Sequence, residues 1–175
     1  MKIYLASSWR NLQQPTVLAA LREAGHEVYD FRNPAPDNDG FRWSQCNPGP
    51  SPWSAATTIE VLNSPIANDG FKLDFDAMKW CDVLVMLQPC GRSAAMELGW
   101  AAGAGKITVA LLVDGQEPEL MVKMADHLCC SVEAVVDVLC LIERRKTLPS
   151  LSCNEYHQHR EECLDYSQCA RLVSR

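Results

Sequence analysis

One uninterrupted apolar run constrains the fold of this chain more than any other feature. Residues 82–87 read Asp-Val-Leu-Val-Met-Leu, so five apolar side chains follow one aspartate. Runs of this length are typical of a central parallel strand that helices cover on both faces. The run is far shorter than the roughly 20 apolar residues that cross a bilayer. The sequence therefore predicts a buried strand of an α/β sheet and no transmembrane segment.

Segments on either side of this run alternate between strand and helix patterns. Before the run, the patterns predict a strand at 2–6, a helix from about Pro15 that Gly25 stops, a strand at 26–31, and helices at 55–63 and 71–80. After it, they predict a helix at 94–104, a strand at 106–113, a short helix at 118–124, a strand at 127–130 and a helix at 132–145. We therefore expect a doubly wound α/β domain with a mostly parallel sheet of about five strands.

The length of 175 residues fits one domain, which we assign to residues 1–145. Within it, residues 32–56 hold five of the ten prolines and the aromatic residues Phe41, Trp43 and Trp53. A loop this long is usually functional or disordered, and the aromatic residues favour an ordered flap that acts as a lid. The alternative is a surface excursion whose tryptophans cover the sheet. The polar segment 146–175 is predicted to be an appended tail.

Charge and cysteine usage exclude several kinds of partner. Lys and Arg number 16 against 22 Asp and Glu, a net charge of −6. This balance is opposite to the clustered cations that bind duplex nucleic acid or an anionic membrane. Nine cysteines, an odd number, without a visible secretory signal indicate reduced thiols and a cytoplasmic protein. Five lie among apolar residues and are expected to act as small hydrophobes: Cys81, Cys90, Cys129, Cys130 and Cys140.

Three loops are expected to form the ligand site. Ligands of doubly wound sheets bind beyond the carboxyl ends of the strands, where the strand order reverses. The loops concerned are residues 7–11, which begin at Ser7, the segment before Asp82, and residues 88–93. Neither GxGxxG nor the P-loop motif occurs, so those two kinds of nucleotide site are disfavoured.

Glu97 has the most unusual surroundings of any charged residue. The helix at 94–104 is otherwise small or apolar on all sides, which predicts burial against the sheet. The residues three and four positions away are Ser93, Ala94, Trp100 and Ala101, none of which is a cation. A buried carboxylate without a cation is costly, which favours a functional role. The alternative is a structural carboxylate bonded to the backbone or to a tyrosine hydroxyl.

A second acidic group precedes the buried strand. Asp82 opens that strand and is expected to cap or turn the chain. Asp74 and Asp76 lie on the preceding helix, and either of them can reach the cleft on spacing alone. Tyr4 lies in the middle of the first strand, where periodicity indicates a core position.

These residues also carry a resemblance. Residues 2–10, Lys-Ile-Tyr-Leu-Ala-Ser-Ser-Trp-Arg, the stretch from Asp74 to Asp82, and Met-Glu-Leu-Gly-Trp-Ala around Glu97 resemble the nucleoside 2-deoxyribosyltransferase superfamily. That superfamily includes the 2′-deoxynucleoside 5′-monophosphate N-hydrolases. The resemblance covers about residues 1–125. It implies a flavodoxin-like fold, no cofactor, and cleavage or exchange of an N-glycosidic bond.

The resemblance also implies roles for individual residues. Glu97 matches the nucleophile, Tyr4 matches the phenol that orients it, and Asp74 matches the carboxylate that binds and protonates the base. Met121 matches a residue that a neighbouring subunit lends to the site, which implies a homodimer or higher homo-oligomer. Arg10 matches the arginine that binds the 5′-phosphate in nucleotide-specific members.

The turn before Glu97 departs from the family pattern and suggests a second anion contact. Gly91 stands where the transferases often carry an acid and the nucleotide hydrolases a serine. Arg92 and Ser93 open the helix, where backbone N–H groups favour an anion, and Ser93 can also cap the helix. The alternative is that Arg10 is a surface residue and that Arg92 pairs with an acid such as Asp74.

Three functional hypotheses remain at this point. The first is an N-glycosidase or transferase acting on a nucleoside or nucleotide, with hydrolysis and base transfer both open. The second keeps the chemistry but takes NAD or another nucleotide as substrate. The third is a non-enzymatic nucleotide-binding module. No metal is expected at this site; the tail pattern of Cys153, His157, His159 and Cys163 suits zinc in its ligand types but has no standard finger spacing.

Overall fold

The sheet of this protein is seen in a computed structural model that describes residues 1–46, 53–117, 119–147 and 171–172. Its strands are β1 (Lys2–Ala6), β2 (Glu27–Tyr29), β3 (Val83–Leu87), β4 (Ile107–Leu111), β5 (His127–Cys129) and β6 (Arg171–Leu172). They lie in the order β2-β1-β3-β4-β5-β6. The first five are parallel and β6 runs antiparallel to β5. The first five strands have the order of flavodoxin-like sheets, which reverses between β1 and β3.

Helices cover both faces of the sheet, as the predicted alternation required. The helices are α1 (Gln14–Glu23), α2 (Ala55–Leu62), α3 (Pro65–Trp80), α4 (Arg92–Gly103) and α5 (Val132–Thr147). Apolar residues of α1 and α5 pack on one face, and those of α3 and α4 pack on the other. All five residues of β3 are buried, because helices cover it on both sides. The single α/β domain predicted from the sequence is confirmed.

Successive side chains of β1 point to opposite faces of the sheet. Ile3 and Leu5 belong to the core beneath α1 and α5, whereas Tyr4 and Ala6 face α3 and α4. Tyr4 is only 1% exposed, so the core position predicted from periodicity is confirmed. A polar hydroxyl is therefore brought into the apolar layer between the sheet and α3–α4.

Helix starts differ from the predicted boundaries for identifiable reasons. The helix predicted at 71–80 begins six residues earlier, because the Ser64 hydroxyl accepts a hydrogen bond from the N–H of Ala67 and Pro65 suits the first turn. The helix predicted at 94 begins at Arg92 after Gly91. No side-chain cap bond forms at that start, so the capping role expected of Ser93 is wrong. Gly25 stops α1 with a φ of +86°, as predicted.

The described part of the flap is ordered and packs on α3. The ring of Phe41 contacts Gly70, where a Cβ atom would lie 2.8 Å from the Cβ of Phe41. Phe41 meets Trp43 edge to face at 4.8 Å, and Trp43 meets Trp53 at 5.5 Å. Both tryptophans are nearly half exposed, and their rings contact aromatic residues of the flap. Residues 47–52 of the predicted flap lie outside the described residues.

Several remaining predictions concern the cysteines and the C-terminal part. Cys81 and Cys129 are buried and Cys90 is partly buried, whereas Cys130 and Cys140 are exposed, so these last two are not core hydrophobes. Strand β6 was not predicted. The short helix predicted from Pro118 is a 3-10 helix at Leu120–Met124, and Pro118 itself lies outside the described residues, as does the Cys/His pattern of the tail. Within the described chain, no helix combines the length and apolar character of a membrane crossing.

Candidate active site

Two carboxylates and two tyrosines meet on the face of the sheet that α3 and α4 cover. Tyr4 comes from β1, Tyr29 ends β2, Asp74 lies on α3 and Glu97 lies on α4. Tyr4 and Tyr29 are register partners on adjacent parallel strands. Their rings stack with 5.3 Å between centroids and 16° between planes. Four separate elements therefore deliver these groups to one place.

Each tyrosine hydroxyl interacts with a different carboxylate. The hydroxyl of Tyr29 donates to Oδ1 of Asp74 at 2.8 Å. The hydroxyl of Tyr4 is the hydrogen-bond partner of the Glu97 carboxylate. Glu97 and Asp74 are both partly buried, and their charges interact. The arrangement is a pair of coupled carboxylates whose orientations are set from the sheet beneath them.

The pKa of Glu97 is raised from 4.5 to about 7. Burial is the main cause, because it penalises the charged form, and the nearby charge of Asp74 adds to it. The hydrogen bond from Tyr4 acts in the opposite direction. Near neutral pH, this carboxylate can therefore exist in either protonation state, which is the range that acid–base and nucleophilic chemistry needs.

Burial also shifts the other groups of the cluster. It raises the pKa of Asp74, and the bond from Tyr29 partly opposes that rise. The pKa values of Tyr4 and Tyr29 are raised by burial and by the neighbouring carboxylates, so both phenols keep their protons and serve as donors. The cluster therefore holds two fixed donors and two carboxylates that compete for a proton.

The other two acidic residues of the predicted group, Asp76 and Asp82, form contacts outside the cluster. Asp76 is exposed and forms ion pairs of 2.6 Å with Lys72 and Lys79, which lower its pKa to about 2. Asp82 accepts a hydrogen bond from the backbone N–H of Lys2 at 2.9 Å. Of the two candidates on α3, Asp74 lies in the cluster and Asp76 lies at the surface.

Aromatic contacts hold α3 and α4 at a defined separation. Phe75 follows Asp74, and its ring meets Trp100 edge to face at 5.2 Å. Trp100 lies three residues after Glu97 on α4. Phe75 also stacks on Phe71 with ring centroids 5.3 Å apart. The contact of Phe75 with Trp100 therefore joins the two helices that carry the carboxylates.

Hydrogen bonds join the β1–α1 loop to the end of β3, where the strand order of the sheet reverses. The Ser7 hydroxyl donates to the carbonyl of Leu87 at 3.1 Å, which joins the end of β1 to the end of β3. The Asn11 amide donates to the carbonyls of Gln88 and Pro89. Arg32 donates to three carbonyls of the same loop, those of Ser8, Trp9 and Asn11. The loop is therefore a rigid rim, and the Ser7 hydroxyl already has a partner.

The remaining predicted site residues lie at or near the surface. Arg10 is exposed in the β1–α1 loop, and Gly91 precedes the exposed first residues of α4, Arg92 and Ser93. Within the described residues, no ion pair joins Arg92 to Asp74, in contrast to the alternative considered from the sequence. Met121 is 61% exposed in the segment after β4.

Sequence reasoning missed Tyr29 as a member of the site. The pattern at 26–31 predicts the strand, but a three-residue edge strand carries no signal about which helix its last side chain meets. The usable signal was the register expected between the first two strands, which places Tyr29 beside Tyr4. In the described part of the chain, no group of three or more His, Cys, Asp or Glu side chains is arranged to hold a metal ion.

Comparison with known proteins gives similarities in structure but not in sequence. No profile of a known protein family matches the chain, and no curated protein matches it. Similar solved structures include a 2-deoxyribosyltransferase from Bacillus psychrosaccharolyticus, with 23% identity, a TM-score of 0.49, and 78% of this chain and 90% of that chain covered. They also include the CMP N-glycosidase BcmB of Clostridium botulinum, with 20% identity, a TM-score of 0.43 and coverage of 79% and 98%. A conserved protein of Enterococcus faecalis V583 matches with 17% identity, a TM-score of 0.40 and coverage of 79% and 87%. The first of these structures shares the name 2-deoxyribosyltransferase with the superfamily that the sequence motifs resemble.

Proposed function

We propose that this protein cleaves or exchanges the N-glycosidic bond of a nucleoside, a deoxynucleoside or a nucleoside 5′-monophosphate. The observation that carries the proposal is the coupled pair of carboxylates, Glu97 and Asp74, each with its own tyrosine donor. Breaking a C1′–N bond needs one carboxylate that faces the sugar and one acid that faces the leaving base. This is the two-carboxylate logic of retaining glycosidases, applied to nitrogen as the leaving atom.

In the first step, a carboxylate oxygen of Glu97 attacks C1′ of the sugar. The electron pair of the C1′–N bond goes to the base, and the proton of Asp74 is transferred to a base nitrogen. The base leaves, and the sugar is held as an ester of Glu97. The hydrogen bond from Tyr4 supports the ionised form of Glu97 and directs its oxygen.

In the second step, an acceptor attacks C1′ and breaks the ester bond to Glu97. When the acceptor is water, its proton passes to Asp74 and the product is the free sugar or sugar phosphate. When the acceptor is a second base, its ring nitrogen loses the proton to Asp74 and a new nucleoside forms. Both outcomes restore a protonated Asp74 and an ionised Glu97, so the residues support hydrolysis and transfer equally.

The electrostatics of the cluster favour a single proton on the pair of carboxylates. One proton must be shared between two carboxylates, because burial and mutual repulsion disfavour a doubly charged pair. With the proton on Asp74, its Oδ1 still accepts from Tyr29 while the other oxygen donates to the base. The non-enzymatic alternative gives no reason for such a costly pair of buried carboxylates.

For substrate binding, we propose that Ser7, Arg10, Gly91, Arg92 and Ser93 form the phosphate and sugar side of the cleft. Arg10 and Arg92 are exposed and flank the ends of β1 and β3. An arginine fork and the first N–H groups of α4 would together hold a 5′-phosphate without a P-loop.

We further propose that the active form is a homodimer or a higher homo-oligomer. Leu120 and Met121 are 75% and 61% exposed, and Met96, beside Glu97, is 75% exposed. A second copy that covers these side chains would lend Met121 to the neighbouring site. Sedimentation velocity of the protein and of the Met121→Asp variant tests this, with dissociation of the variant expected and a monomeric unmodified protein contradicting it.

Chromatography of released bases tests the proposed activity directly. The protein is incubated with deoxynucleosides, deoxynucleoside monophosphates, ribonucleotides and NAD, with and without an added acceptor base. Release of a free base supports hydrolysis, and a new nucleoside supports transfer. Release of nicotinamide alone would favour the NAD-type alternative. No base from any substrate would overturn the proposal and leave a binding module.

A further inference from the structure

We propose that Tyr29 is a positioning residue that selects which oxygen of Asp74 serves the leaving base. Its hydroxyl occupies Oδ1 at 2.8 Å, so Oδ2 is left to carry the proton that the base receives. This inference rests on the proposed function, and it assigns a role to a residue that the sequence motifs did not include.

The geometry gives Tyr29 a fixed position from which to do this. Its ring stacks on Tyr4, its register partner in β1, at 5.3 Å and 16°. The next residue, Asp30, is 4% exposed and accepts hydrogen bonds from the Gln14 amide at 2.9 Å and from the backbone N–H of Arg32 at 3.0 Å. The Tyr29 ring and the residue that follows it are therefore both held in place, and the bond to Asp74 does not depend on a mobile loop.

The stack also links the two carboxylates mechanically. Asp74 is bonded to Tyr29, Tyr29 lies on Tyr4, and Tyr4 interacts with Glu97. If the two rings did not stack, each tyrosine would orient only the carboxylate that it contacts, and the two carboxylates could rotate independently. Because both rings are in register on adjacent strands, the acid and the nucleophile are oriented from a single rigid surface.

Among the residues that the structure describes, the groups of the cluster around Asp74 come from three other elements. Tyr29 faces it from β2, while Tyr4 from β1 and Glu97 from α4 complete the cluster. On its own helix, Asp76 is engaged by lysines at the surface. The Tyr29 bond lowers the pKa of Asp74 against the effect of burial, so its loss raises that pKa further.

The Tyr29→Phe variant tests the inference, because it keeps the ring stack and removes only the donor. The titration of Asp74 is followed by NMR of ¹³C-labelled aspartate carboxyls in the full chain, with the signal assigned through Asp74→Asn. This readout does not depend on activity. We expect the midpoint of Asp74 to move to higher pH in Tyr29→Phe. An unchanged midpoint would overturn the inference.

Kinetics supply the second readout. In Tyr29→Phe we expect kcat to fall about 10-fold with KM changed less than about threefold, and the alkaline limb of the pH–rate profile to move upward. In an Asp74→Asn background, the same change should alter kcat less than about twofold, because the group that Tyr29 positions is gone. A full 10-fold loss in that background would indicate a purely structural role and overturn the inference.

A third measurement keeps the shape of the residue intact. Replacement of Tyr29 by 3-fluorotyrosine makes the hydroxyl a stronger donor, so the titration midpoint of Asp74 should move to lower pH. A midpoint that does not move, or that rises, contradicts the inference. Failure of the proposed function is a distinct result, since it appears as absence of base release by the unmodified protein.

Discussion

The rings of Tyr4 and Tyr29 stack in register on adjacent parallel strands, and their hydroxyls engage two different carboxylates. The 5.3 Å stack brings together groups that lie on α3 and α4, two helices separated by a whole strand in the chain. The sheet therefore acts as the surface that orients Asp74 and Glu97, the proposed acid and the proposed nucleophile.

Replacing Glu97, the proposed nucleophile, should abolish turnover while the fold is retained. Glu97→Gln keeps the size and the capacity to accept from Tyr4 but removes the negative charge, so activity should fall at least ~10³-fold. The matched control is Glu23→Gln at the exposed end of α1, which should have normal activity. Base release is measured by chromatography and folding by circular dichroism. Near-normal turnover of Glu97→Gln would remove this residue from the mechanism.

The pH dependence should show the ionisation of Glu97. Its pKa is about 7, and only the ionised form attacks, so kcat/KM should rise tenfold per unit up to pH ~7 and fall again on the alkaline side, where Asp74 loses the proton that it donates to the base. In Tyr4→Phe the bond that lowers this pKa is lost, so the acid limb should move about 1–2 units upward. The measurement is kcat/KM for both proteins between pH 5 and 9. An acid limb that stays in place or moves downward would contradict the assigned role of Tyr4.

The free energy of unfolding should also depend on the ionisation of Glu97, because the folded protein favours the protonated form of this carboxyl. Because the pKa of Glu97 is higher in the folded chain than its ordinary 4.5, the folded state binds this proton more tightly. The stabilisation is fully present below pH ~4.5 and is lost as the pH rises through about 7. Glu97→Gln should therefore be more stable than the unmodified protein by about 1–3 kcal/mol at pH 8, and the difference should shrink towards pH 4.5. Urea unfolding at both pH values measures this, and a constant difference would argue against a strained carboxylate.

A 5′-phosphate should improve the substrate if the exposed arginines form the anion site. A deoxynucleoside monophosphate should be cleaved at least ~10-fold more efficiently than its nucleoside, since charge-assisted bonds contribute roughly 1.5–3 kcal/mol. Arg10→Ala should erase most of that preference while cleavage of the nucleoside, the internal control, stays nearly unchanged. Arg92→Ala tests the second arm in the same way. Equal efficiency of the two substrates in the unmodified protein would refute the phosphate site.

Local sequence pattern was sufficient for the elements and for the unusual carboxylate. The apolar run at 83–87 predicted a covered strand, and Glu97 stood out because no cation lay three or four positions from it in the sequence. Gly25 ended α1 where predicted, since only glycine adopts its φ of +86° without strain. These features depend on residues close together in the chain, so the sequence alone determined them.

Tertiary structure decided the relationships between distant residues. Asp74 and Asp76 are indistinguishable by spacing. The packing of α3 on the sheet directs Asp74 into the cluster, whereas Asp76 lies at the surface and forms ion pairs with Lys72 and Lys79. The contact of Tyr29 with Asp74 joins residues 45 positions apart, across a strand register that no local pattern encodes. Strand β6 is likewise defined by its pairing with β5 rather than by its two residues. Residue type and periodicity determine which side chains are buried, but the packing of helices on the sheet determines which of them meet.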